Sequence, residues 1–91
     1  MRKFGRLDSN QNQIVKRLRE LPGVSVFSTA SIGNGFPDLV VARNKTNYLI
    51  ELKNGKEPLT QSEAKFFSAW KGQVCICRTF DDVLQTIGID E

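Results

Sequence analysis

Ninety-one residues, 40% of them hydrophobic, with a net charge of +3, bound a single small and mildly basic domain whose limited core makes self-association a natural way to bury more surface. The chain has no histidine and only two cysteines, Cys75 and Cys77, which removes Ser/His/Asp and Cys/His catalysis and a structural zinc site within one chain. Acid and base work then falls to carboxylates, lysine or metal-bound water. With no run of ~18 apolar residues and no signal-peptide pattern, the expectation is a soluble, cytoplasmic protein with no membrane contact.

Charge is unevenly spread. Residues 1 to 8 read as a basic arm carrying Arg2, Lys3 and Arg6, and Lys16, Arg17 and Arg19 continue the bias against Asp8 alone. Such an arm and helix suit a polyanion; a solvated helix face is the alternative. Asp8 with Gln11 resembles a capping box. Ile14, Val15, Leu18 and Leu21 then form one apolar helical face that ends at Pro22-Gly23. Val24 to Thr29 follows as a strand, and Gly33 and Gly35 let the next loop turn tightly and approach a partner closely. Asp38 to Arg43 and Asn47 to Lys53, rich in aliphatic and β-branched residues and separated by Asn44-Lys45-Thr46-Asn47, read as a β-hairpin. After the loop Asn54 to Pro58, Thr60 and Glu63 form a second capping box. They open a helix bearing Ala64, Phe66, Phe67 and Trp70 that stops near Gly72. The aromatic residues of that helix suit core or dimer packing, with stacking on unpaired bases as the alternative. Gln73 to Arg78 is a last strand, on which Cys75 and Cys77 point the same way and are poorly placed to join each other; buried thiols in a reducing compartment are expected. Thr79 to Asp82 caps a final short helix ending at Gly88, and the expected order is α-β-β-β-α-β-α.

The chemistry concentrates at the hairpin. If its loop is symmetric about Lys45 and Thr46, Arg43 faces Tyr48, Val40 faces Glu51 and Asp38 faces Lys53, and Asp38, Glu51 and Lys53 share one face. Asp38 and Glu51 then lie on a diagonal of roughly 7 Å between Cβ atoms, a gap that one divalent cation bridges. Both strands are apolar on both faces, with Val40, Ala42 and Leu49 on one and Leu39, Val41, Ile50 and Leu52 on the other, as in a sheet covered on two sides. Charged groups inside such a sheet need compensation, which a metal and a phosphate supply. The alternative is an ordinary surface charge pair next to a turn.

Gly35-Phe36-Pro37-Asp38, then Glu51-Leu52-Lys53, then Leu59-Thr60 opening a helix, in this order of elements, resemble the PD-(D/E)XK nuclease superfamily. More narrowly, the chain resembles the small stand-alone VRR-NUC domains of phages and bacteria, themselves similar to archaeal Holliday junction resolvases. The resemblance covers roughly residues 9 to 88. It implies one domain over residues 1 to 91, an α/β fold with a mixed four-stranded sheet flanked by helices, and Mg²⁺ or Mn²⁺ as cofactor. It further implies Asp38, Glu51 and the backbone carbonyl of Leu52 as metal ligands, Lys53 as the lysine that orients or deprotonates the attacking water, and products with 5′-phosphate and 3′-hydroxyl ends. Two departures stand out. Relatives carry a first-helix glutamate where this chain offers only Asp8, which serves as a ligand or as an N-cap, and the glutamine of the second helix is represented by Gln61 or Glu63, the latter also the capping partner of Thr60.

The expected function is a metal-dependent DNA endonuclease of a bacterial or phage-infected cell. Branched DNA such as a four-way junction is the favoured substrate, because so small a domain lacks room for a base-reading module and would select by shape, with two active sites paired in a homodimer. DNA contacts are expected from Arg2, Lys3, Arg6, Lys16, Arg17, Lys56 and Lys65. The alternatives are a DNA-binding or assembly module with a degenerate site, and a nonspecific or restriction-type endonuclease.

Overall fold

The structure, a computed structural model, describes the backbone of residues 4–90 and side chains from Asn10 onward. Three helices and four strands follow in the expected order: α1 (Phe4–Arg19), β1 (Val24–Ser28), β2 (Leu39–Arg43), β3 (Thr46–Leu52), α2 (Gln61–Ala69), β4 (Cys75–Cys77) and α3 (Phe80–Thr86). The sheet order is β1-β2-β3-β4. The first two pairings are antiparallel and β3 to β4 is parallel, so the sheet is mixed. A parallel pair needs a long crossover, and the segment from Lys53 to Val74, with α2 inside it, provides that length.

Helix α1 begins at Phe4, earlier than the capping reading placed it. Asp8 therefore lies within the helix instead of at its N-cap. Extending an existing helix through proline-free residues costs less than starting one, so the box at Asp8 does not act as a start. Arg2 and Lys3 lie outside the described residues, as do the side chains of Arg6 and Asp8.

The hairpin turn differs from expectation in its centre. Asn44 and Lys45 both have positive φ, at 53° and 66°, and form a two-residue loop between Arg43 and Thr46. That is the type I′ geometry, whose twist matches the flanking strands, and asparagine tolerates it well. Val41 therefore faces Tyr48 and Leu39 faces Ile50, a register two residues away from the expected one. A shift of two conserves the side-chain parity, so every residue keeps its face.

One face of the sheet holds the core. Leu39, Val41, Ile50, Leu52 and Cys77 pack with Ile14, Val15 and Leu18 of α1 and with Val83, Leu84 and Ile87 around α3, all buried. Arg43 donates to the carbonyls of Ile87 and Gly88, at 2.9 and 3.1 Å, and so satisfies the open end of α3. The opposite face is not covered as a two-sided sheet would be. Val40, Ala42, Leu49 and Ile76 are only half-buried, Phe27 is 71% exposed, and α2 buries none of its residues. The continuous apolar runs that signalled two-sided coverage end instead in a partly open apolar face. None of the helices among the described residues is long and apolar enough to cross a membrane.

Helix α2 is held at its start. Both halves of the Thr60–Glu63 capping box form, Phe66 meets Phe36 edge-on at 5.4 Å, and Trp70 stacks on Phe66 at 4.9 Å. Gly35, at φ +80°, passes so close to the Ser62 carbonyl that no Cβ fits. Replacing Gly35 with alanine therefore strains the backbone and pushes α2 away from the rim. A loss of about 1–3 kcal/mol in urea unfolding is expected, whereas an unchanged midpoint would show that the loop does not hold α2.

Candidate active site

The site is assembled at the rim where β2 starts and β3 ends. Continuing the register by one pair sets Asp38 directly opposite Glu51, closer than the expected diagonal and at the ~5 Å Cβ spacing of opposed residues. Asp38 is fixed from two sides. Its carboxylate Oδ2 accepts from the Leu52 amide at 2.9 Å, and its carbonyl accepts from the Thr29 amide at 2.7 Å. Buried Thr29 also donates its hydroxyl to the Pro37 carbonyl at 2.7 Å, so the end of β1 clamps the Pro37-Asp38 segment.

Lys53 lies 6% exposed among three glutamates. Its ammonium is 2.7 Å from Glu63, 3.7 Å from Glu51 and 3.8 Å from Glu57. The Glu63 Oε1 that meets Lys53 also accepts from the Thr60 amide at 2.8 Å, so one oxygen caps α2 and anchors the lysine. Glu63 is thus the capping partner of Thr60, and the same side chain also reaches Lys53. Gln61 is exposed and does not line the cavity.

Electrostatics at the rim are dominated by burial. Burial, then the Glu63 carboxyl and the charges of Asp38 and Glu63, push the Glu51 carboxyl up to about 9. Burial also raises Asp38 above its usual range, with the Leu52 amide opposing it. For Lys53 burial works to lower the pKa, but the Glu63 hydrogen bond and the surrounding carboxylates outweigh it and hold the ammonium above 10.5. Burial likewise works to raise Glu63, yet the hydrogen bonds from Lys53 and Thr60 bring it down to about 2. In this arrangement Lys53 is a fixed positive charge, better suited to orienting water and phosphate than to taking a proton.

Comparison with protein-family models, with curated proteins and with solved structures returned no match. The chemistry therefore rests on the donor set itself. Glu51 Oε1 is buried and has no hydrogen-bond partner. A buried carboxylate oxygen left bare is costly, and a proton or a cation relieves it. Among the described residues no group of three or more His, Cys, Asp or Glu is arranged to hold a metal ion. Two opposed carboxylates still fit a Mg²⁺-type ion, which commonly takes one or two carboxylates and completes its shell with water and substrate phosphate.

The surrounding cavity, about 250 Å³, is lined by Asp38, Glu51, Leu52, Lys53, Glu57 and Glu63 together with Asn10, Gln11, Ala30 and Asn54. Asn10 donates to the Asn54 side chain at 2.6 Å and ties α1 to the loop after β3. Asn10, Thr29, Asn54 and Glu57 are site neighbours that the sequence reading missed. Asn10 lies two residues beyond Asp8, and no local signal marks any of the four, because their roles depend on contacts across the fold. Of the residues expected to touch DNA, Lys16, Lys56 and Lys65 are exposed. Arg17 is exposed as well, with its guanidinium over the Phe80 ring at 3.8 Å from the centroid.

Proposed function

We propose that this chain is a metal-dependent DNA endonuclease with a PD-(D/E)XK-type core, and the observation that carries the reading is the bare, buried Glu51 carboxylate oxygen opposite Asp38 and beside the Lys53 ammonium. Asp38, Glu51 and the Leu52 carbonyl would hold Mg²⁺ or Mn²⁺, which when bound supplies Lewis-acid polarisation of the phosphate. Lys53 presents positive charge where negative charge develops on the phosphoryl group, and its amine hydrogens can orient a water toward the phosphorus. Glu63 keeps the ammonium in place and protonated. Thr29 and the Leu52 amide hold Asp38 so that its second oxygen stays available.

A branched substrate remains the favoured one within this class, with two copies of the chain presenting paired sites. Exposed apolar surface supports a homodimer: Phe27 on the partly open sheet face is 71% exposed, and Ile32 and Trp70 are 56% and 43% exposed, area that association would cover. Phe27→Ser is therefore expected to shift sedimentation from dimer to monomer with the fold retained. A wild type that already sediments as a monomer at micromolar concentration would remove the dimer from the reading.

The activity is tested with end-labelled four-way-junction, flap, single-stranded and linear duplex DNA in the presence of Mg²⁺ or Mn²⁺. Paired cuts confined to the junction are expected. Equal cutting of every duplex would make the chain a nonspecific nuclease, sequence-confined cutting a restriction-type one, and binding without metal-dependent cutting a DNA-binding module.

A further inference from the structure

We propose that Cys75 and Cys77 form a reversible dithiol–disulfide pair whose oxidation by a peroxide loosens the backbone at Lys53. Strand β4 sends both side chains to the same face, and their sulfurs meet at 3.9 Å. The Thr86 hydroxyl sits 3.4 Å from the Cys77 sulfur and 3.8 Å from that of Cys75, so the two thiols and a hydroxyl form one cluster outside the candidate active site. Both cysteines are free. Cys75 is half-buried and Cys77 only 1% exposed, which makes Cys75 the sulfur that meets an oxidant and Cys77 the one that resolves it.

Spacing along the strand sets the strain and does not forbid the bond. Residues two apart on a strand have Cα atoms roughly 6.6–6.8 Å apart, at the far end of the range that a disulfide spans. Closing the bridge therefore draws the two residues together and contracts β4. A strained disulfide is also more easily reduced, which is the behaviour of a switch and not of a structural staple. The strand that must give way is short, three residues, and lies at the edge of the sheet.

Strand β4 borders the active site through its parallel ladder with β3, and a hydrogen bond just beyond that ladder ties Cys77 to Lys53. The Cys77 carbonyl accepts from the Lys53 amide at 3.1 Å, and Cys77 pairs with Leu52 in the parallel ladder. Contraction at Cys77 pulls that carbonyl away from Lys53. The chemistry balances as two steps: the Cys75 thiol takes one oxygen from hydrogen peroxide, giving a sulfenic acid and water, and the Cys77 thiol displaces a second water to form the disulfide. An added dithiol reverses it and becomes a disulfide itself. Neither the oxidation nor its effect on the Lys53 amide requires the chain to cut DNA.

The full chain is treated with hydrogen peroxide and followed by intact mass, peptide mapping and amide hydrogen exchange, with Cys75→Ser and Cys77→Ser as near-isosteric controls. Expected are a monomeric product that has lost two hydrogens, reversed by dithiothreitol and absent in either variant, and exchange at the Lys53 amide faster by about tenfold in the oxidised form. Only sulfinic acid, only disulfides between chains, or an internal disulfide that leaves Lys53 exchange unchanged would each overturn the proposal.

Discussion

Lys53→Ala and Asp38→Asn are each expected to lower metal-dependent DNA cleavage by about 10²–10³-fold, the usual loss when one preorganised electrostatic partner of a transition state is removed. The two act differently. Asparagine at position 38 keeps an oxygen to accept from the Leu52 amide, so the rim stays folded while one negative charge that would meet a cation is lost. Alanine at position 53 takes the counter-charge away from Glu57 and Glu63, so it also destabilises the fold and needs an unfolding control. The raised pKa of Lys53 separates its two possible roles. Arginine keeps a positive charge but cannot give up a proton at neutral pH, so Lys53→Arg should retain clearly more activity than Lys53→Ala if the ammonium acts as charge. Equal loss in both variants, with both folded, would instead make the amine itself a proton acceptor.

Much of the fold was legible because its signals are local. The Thr60–Glu63 and Thr79–Asp82 boxes both cap helices where the residue types require, and the Ile14, Val15 and Leu18 stripe faces the core. The hairpin was harder. Its strands are set by apolar alternation, but the turn is decided by which two residues accept positive φ, and Asn44-Lys45 competes closely with Lys45-Thr46 in sequence. The error of two residues left Asp38, Glu51 and Lys53 on one face, which is why the site survived a wrong register. Coverage of the second face was misread for a different reason. Val40, Ala42 and Leu49 are as apolar as buried strand residues, and sequence cannot distinguish a face covered by a helix of the same chain from one left open.

The site itself was legible only as far as its charged members. Glu63 showed as a cap, and nothing in Leu59-Thr60-Gln61-Ser62-Glu63 reveals that the loop at Gly35 and the Phe36–Phe66 contact bring α2 to the rim. Thr29 reads as an ordinary last residue of a strand. Its importance comes from two hydrogen bonds to the Pro37-Asp38 segment, eight and nine residues away, made by a loop whose path depends on positive-φ glycines and on Asn34.

Glu51→Gln should make the metal-free protein more stable at pH 8.5 by roughly 1–3 kcal/mol while abolishing stabilisation by Mn²⁺. The wild-type carboxyl is 2% exposed, has one oxygen without a partner and titrates near 9, far above its usual 4.5. Below about pH 4.5 it is neutral in both folded and unfolded chains and its contribution to stability is fully present. As pH rises toward 9 the unfolded chain has already released the proton that the folded chain still holds, so stability falls across that window and levels off above it. Asp38, also raised, adds a slope of the same sign. Glu63, lowered to about 2, and Lys53, held above its ordinary value, are charged in both folded and unfolded chains between pH 6.5 and 8.5 and contribute almost no slope there. Glutamine stays neutral, so the variant should lose most of this decline. A bound cation replaces the proton, which makes its effect grow with pH: the rise in wild-type Tm caused by Mn²⁺ should be larger at pH 8.5 than at pH 6.5 and absent in the variant. Thermal unfolding of both proteins at the two pH values, with and without Mn²⁺, decides the matter. A glutamine variant no more stable than wild type at pH 8.5, or one still stabilised by Mn²⁺, would mean that Glu51 is not the buried carboxylate on which a cation depends.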